Sequence, residues 1–163
     1  MSDKAMQMAG KLTSEGEKTL VFFKSLPDDA WHMQVFGDGA TWDVRGVFEH
    51  LCISEHTLCR MFEQILATGQ GTTEDFDINA FNQQRTGRFA SLTHDELLKL
   101  YSDTREKTGA FARSLTDEQL AIRGRHPAIG DSSLEEQLKL IYLHHQMHMR
   151  DVKKALPPAS KGE

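Results

Sequence analysis

Apolar residues recur at intervals of three and four along almost the whole chain, the spacing of one face of an α-helix. Met8, Leu12, Leu20, Phe23 and Leu26 mark a first helix over roughly residues 3–25, closed by Pro27. Val44, Val47, Leu51, Ser54, Leu58, Met61 and Ile65 form the seam of a second, ended by Gly69, Gln70 and Gly71. Thr93-His94-Asp95-Glu96 reads as a capping box opening a third helix, whose buried side is Leu97, Leu100, Tyr101, Phe111 and Leu115. A fourth starts near Ser132 or Ser133, each followed three residues later by glutamate. It runs through Leu134, Leu138, Ile141 and Val152 to the stop at Pro157-Pro158. No strand-like alternation lasts. These four segments predict an all-α four-helix bundle with no strands, one domain over residues 1–156 and a disordered tail at 157–163.

The connections are unequal. Residues 27–41 carry Asp38 between two glycines. Residues 69–92 form a long crossover with a short helix near Ile78–Arg88, and residues 116–131 hold a turn near Leu120 and then His126-Pro127. Long connections permit an up-down-down-up arrangement, which periodicity alone does not establish.

Composition bounds the function. A chain of 163 residues, 39% hydrophobic and 26% charged, can bury one sizeable core. Its net charge of -5 argues against a nucleic-acid reader, which needs a basic face. No apolar run approaches the roughly 20 residues that span a bilayer, and nothing behind Met1-Ser2-Asp3-Lys4 reads as a secretion signal, so a cytoplasmic protein is expected. Cys52 and Cys59 lie too far apart along one helix to pair, and two free, buried thiols fit that compartment.

The chemistry concentrates in Leu143-His144-His145-Gln146-Met147-His148-Met149-Arg150-Asp151. His144 and His148 are one helical turn apart and share a face, a geometry suited to two ligands of one divalent ion. The apolar stripe instead puts His145 nearest its centre, with His148 beside it. Pattern alone leaves both pairs open, and four-residue spacing favours the first. His50, at the border of the second helix's inward face, is the candidate third ligand. The competing reading is a polar core cluster bonded to Glu49, Glu55 or Asp151. Surface or hydrogen-bonded roles are expected for His32, His56, His94 and His126. No phosphate-binding glycine loop, His-Glu-x-x-His or paired Glu-x-x-His motif is present.

Three stretches together resemble the DinB-like (YfiT-like) superfamily of metal-dependent bundle proteins, near its thiol-dependent transferase and maleylpyruvate isomerase-like branch. They are Thr41-Trp42-Asp43-Val44 with Glu49-His50-Leu51 and Ser54-Glu55, then Asp77-Ile78-Asn79-Ala80-Phe81-Asn82, then Arg125-His126-Pro127 with the final histidine run. The resemblance implies an up-down-down-up bundle, often a homodimer, with nickel or zinc on His50, His144 and His148. Arg150-Asp151 replaces the Gly-Gln usual after the last histidine. It also implies a low-molecular-weight thiol as co-substrate of a transferase or isomerase. Asp77, Asn82 and Arg85 on the crossover would meet the small-molecule substrate, and Asp151 would orient a ligand. The alternatives are a metal-dependent hydrolase and a non-catalytic, stress-related binding or dimerisation module.

Overall fold

The computed structural model describes residues 2–37 and 40–158. Helix α1 (Asp3–Lys24) opens at Ser2, whose hydroxyl accepts from the Ala5 amide at 3.0 Å. A 3-10 turn (Asp28–His32) leads to the hairpin β1 (Gln34–Gly37) and β2 (Ala40–Asp43). Asp43 then caps α2 (Val44–Thr68) by accepting from Gly46 N at 2.7 Å. Gly69, with φ of 70°, ends α2 in the left-handed conformation that glycine adopts without strain. The crossover holds α3 (Ile78–Arg85). Capping boxes at Thr93–Glu96 and Ser133–Glu136 start α4 (His94–Ser114) and α6 (Leu134–Ala155). Between them lie α5 (Asp117–Ala121), where a turn was expected, and the hairpin β3 (Arg123–His126) and β4 (Gly130–Ser133). Ser133, not Ser132, is the cap; Ser132 is buried in β4.

The two hairpins correct the expectation of a strand-free chain. Each strand is four residues long, too short for alternation to register, and β3 turns inward only Gly124 and His126. Asp38 and residues 159–163 of the expected tail lie outside the described residues. Among the described residues no helix is long and apolar enough to cross a membrane.

Side-chain pairings give the helix directions. Phe23, near the end of α1, stacks on Phe48, near the start of α2, so α1 and α2 are antiparallel. The pairs Phe48–Tyr101, Glu55–Arg105, Cys59–Thr108 and Phe62–Phe111 advance together, so α2 and α4 are parallel. Lys11 over Tyr142, Gln146 donating to Glu15, and Lys153 over Phe22 make α1 and α6 parallel. The four long helices are therefore up, down, down, up, as the chain's resemblance implied.

The core is divided. One apolar cluster joins Leu12, Phe62, Ile65, Leu115, Leu138 and Ile141; the other joins Phe23, Trp31, Phe48, Leu51, Leu97 and Val152. Between them the middle turns of α2, α4 and α6 bury Glu55, Arg105 and His145, each no more than 5% exposed. Arg105 donates from Nε and Nη2 to the two Glu55 oxygens at 2.8 and 3.0 Å, and from Nη1 to Leu12 O at 2.8 Å. Burying charge is tolerable only when it is matched in this way.

Candidate metal centre

His50 sits in the second turn of α2; His144 and His148 sit late in α6. Because α2 and α6 are antiparallel, those stretches share one end of the bundle. His50 Nε2 is 3.3 Å from His144 Nε2, which is 2.9 Å from His148 Nε2. One nitrogen from each of the three lies within 4.8 Å of the other two. Ligands about 2.0–2.1 Å from a tetrahedral ion stand roughly 3.4 Å apart, so the set matches what one divalent ion requires.

Protonation state agrees. Burial, reinforced by the charge of His148, pushes His50 down to about 3. Burial, then His148 and His50, pushes His144 down to about 3. Both rings are neutral at pH 7 and offer lone pairs, the form a metal binds. His144 Nε2 faces both other rings, yet it offers either one N–H or one lone pair and cannot bond fully to both. A cation at their meeting point resolves the conflict. Trp42 of β2 closes one side, its ring 4.7 Å from that of His50 and 6.2 Å from that of His148.

His145 points elsewhere, which resolves the ambiguity left by the sequence. Its Nδ1 lies 2.8 Å from Arg105 Nη2 and 3.1 Å from Tyr101 Oη. Arginine can only donate, so Nδ1 accepts and the ring proton is on Nε2. Burial and then the Arg105 charge hold His145 well below the usual imidazole range. The competing carboxylates are already engaged: Glu55 by Arg105 and Glu49 by Arg45 Nε at 2.9 Å.

Beside the three histidines an open groove runs between α2, α6 and the crossover. It encloses about 1580 Å³, more than the roughly 300–1,000 Å³ of an ordinary small-molecule pocket. His50, His144, Asn82 and Arg85 line it. Asp77 does not; it caps α3, accepting from Asn79 N and Ala80 N at 3.0 Å. Asp151 is half-buried on α6, three residues beyond His148, and among the described residues makes no hydrogen bond to His50 or His144.

Of the two roles expected for His126, surface or hydrogen-bonded, the structure shows the second. The residue is 4% exposed rather than at the surface, and it lines the groove. Its Nδ1 accepts from Ala128 N at 3.0 Å, and its Nε2 is buried with no hydrogen-bond partner among the described residues. In β3 the exposed-buried alternation of Arg123-Gly124-Arg125-His126 turns this ring inward. The cysteines are poor nucleophiles. Burial pushes the Cys59 thiol up to about 11 and the Cys52 thiol higher still.

A model of the DinB superfamily matches residues 11–152. No curated protein matches the chain in sequence. Among solved structures, YfiT from Bacillus subtilis, described as a probable metal-dependent hydrolase with an unusual four-helix bundle topology, superposes with a TM-score of 0.69. It is 21% identical and the match covers 95% of this chain and 87% of that one. A histidine-to-alanine mutant of the mycothiol-dependent maleylpyruvate isomerase gives a TM-score of 0.69 at 14% identity, covering 92% of this chain and 60% of that one. The colibactin self-resistance protein ClbS, solved in complex with dsDNA, gives 0.64 at 14% identity, covering 94% and 95%. These likenesses share the fold, and the family model spans nearly all of the bundle that brings the histidines together: the chain belongs to the DinB superfamily.

Proposed function

We propose that the protein binds a divalent ion, nickel or zinc, through His50, His144 and His148, and acts as a thiol-dependent transferase or isomerase. The observation that carries this reading is the convergence of three imidazoles from two antiparallel helices at the wall of a broad groove. Three protein ligands leave a coordination position open, the layout of catalytic rather than structural sites. An ion bound there supplies Lewis-acid activation of a thiol or a water. Asn82 and Arg85 meet the substrate, Asp77 fixes the helix that carries them, and Asp151 orients a ligand from one turn beyond His148. The groove's size supports two small molecules at once, substrate and thiol, and the likeness of fold to the mycothiol-dependent maleylpyruvate isomerase supports thiol-dependent chemistry. The protein works as a cytoplasmic homodimer of one bundle domain.

The description of YfiT favours a second reading, hydrolysis by an activated water with no thiol. Protein purified without a chelating tag should carry stoichiometric metal by elemental analysis. His148→Ala should lose it while far-UV circular dichroism keeps most helicity. Stoichiometric metal retained in that variant overturns the ligand assignment. Assays of the loaded protein on electrophiles with added thiol, and on simple esters and amides without it, separate the two reactions. Inactivity on all of them favours a binding module.

A further inference from the structure

The groove is charged against the grain of the chain. Acidic residues outnumber lysine and arginine 24 to 19, yet among the described residues no aspartate or glutamate lines the groove. An even spread of 24 acids over 163 positions would place about four among its 28 lining residues. Instead it is lined by Arg60 of α2, Arg85 and Arg88 of the crossover, and Arg150 of α6. Among the described residues none of these four has a carboxylate within ion-pair distance, whereas Arg45, Arg105 and Arg123 each engage one at 2.8–2.9 Å. Arg85 lies over the Phe81 ring at 4.4 Å, a contact that steadies the guanidinium while its N–H edge stays available.

Two of these arginines belong to the histidine end. Arg85 and Asn82 share a small recess with His50, Trp42 and Glu49, whose carboxylate is already held by Arg45, and Arg150 is two residues beyond His148 on α6. The neutral groups add donors: with Nδ1 of His126 taken by Ala128 N, the ring proton is on Nε2, which has no hydrogen-bond partner among the described residues. Guanidinium groups match carboxylates in a planar, two-point geometry.

We infer that the groove takes a small molecule bearing carboxylates, held by Arg85 and Arg150 so that its reacting group reaches the three histidines. The proposal deepens the thiol reading, on which it rests, by making the co-substrate an acidic thiol. Its capture step depends on the arginines and not on the ion. The test uses the full, metal-loaded protein and isothermal titration with S-methylglutathione, which has two carboxylates and no free thiol, against its diethyl ester. The acid should bind at least tenfold tighter than the ester. Arg85→Gln and Arg150→Gln should each weaken it about tenfold, with metal content unchanged. His148→Ala should bind the acid within threefold of the unsubstituted protein, so failure of the metal assignment and failure of this one are told apart. Equal affinity for acid and ester, or no arginine-dependent binding of the acid at millimolar concentration, overturns the proposal. So does arginine-dependent binding of a 20-base-pair DNA duplex by a protein that ignores the acid.

Discussion

Arg105 reaches from α4 to Glu55 on α2, to the Leu12 carbonyl on α1 and to His145 on α6, so one side chain ties all four long helices. The same bonds decide which histidines face the groove. By accepting from Arg105, His145 fixes its neighbour His144 on the adjacent face, where His50 and His148 lie. Removing the guanidinium leaves Glu55, 1% exposed, without its counter-charge. Arg105→Ala should therefore lose about 3–5 kcal/mol of stability in urea unfolding, the cost of stranding a buried charge. The double change Arg105→Met with Glu55→Leu should recover most of that loss, because the desolvation penalty disappears with the pair. A double variant as unstable as Arg105→Ala would show that the network holds the bundle by geometry rather than by charge balance.

Among the elements, the crossover depends most on a few contacts. Arg45 on α2 donates from Nη2 to the carbonyls of Phe89 and Leu92 at 2.9 and 2.7 Å while its Nε holds Glu49. At the other end, Thr72 N donates to Arg125 O of β3 at 2.9 Å, and a Cβ at Gly71 would collide with that carbonyl. Arg45→Ala should speed amide exchange across residues 78–92 at least tenfold while α1 and α6 stay protected; unchanged exchange there would mean the strap is held elsewhere. Gly71→Ala should move the strap off β3 and cost about 1–3 kcal/mol, an overpacking cost read from the shift in urea midpoint. These contacts mark the limit of what the sequence disclosed. Val44 to Ile65 and Leu134 to Val152 announce their helices because a long amphipathic stripe repeats over several turns, and Thr93 and Ser133 announce the starts because capping boxes are local. The pair His144 and His148 was legible by the same periodicity. His145 was not separable from them, because its partners Tyr101 and Arg105 are about 40 residues away along the chain. The hairpins and the inward turn of His126 were hidden because four-residue strands with glycine and histidine inside carry no apolar signal. The Arg45 strap spans 44 to 47 positions and leaves no local trace at all.

At the scale of the molecule, neutral histidines couple stability to acid. His50 and His144 are held at about 3 and His126 at about 4, all chiefly by burial, against an unfolded value near 6.5. Well above pH 6.5 neither folded nor unfolded chain binds protons at these rings, so they contribute no pH dependence there. Below it the unfolded chain takes up protons that the folded one refuses. Stability then falls with pH by about 1.4 kcal/mol per unit for each ring fully barred from protonation. Glu15 adds to the decline further down. Hydrogen bonds from Lys18, Lys11 and Gln146 hold it at about 2, so the stability it supplies above pH 4.5 is lost as pH falls toward 2. The metal-free protein should show a level urea midpoint from pH 8 to 7 and a steep drop from pH 6.5 to 4.5. His126→Gln should make that drop shallower by one ring's share and leave metal stoichiometry intact, since His126 is outside the converging set. Added zinc should raise the midpoint at pH 7 by mass action, and the increment should persist at pH 5, because folded rings held at about 3 take up no protons there to compete with the ion. A midpoint that stays level from pH 6.5 to 4.5 would mean that these rings take up protons inside the folded bundle. The neutral state of His50 and His144, on which the proposed metal site relies, would then have no electrostatic basis.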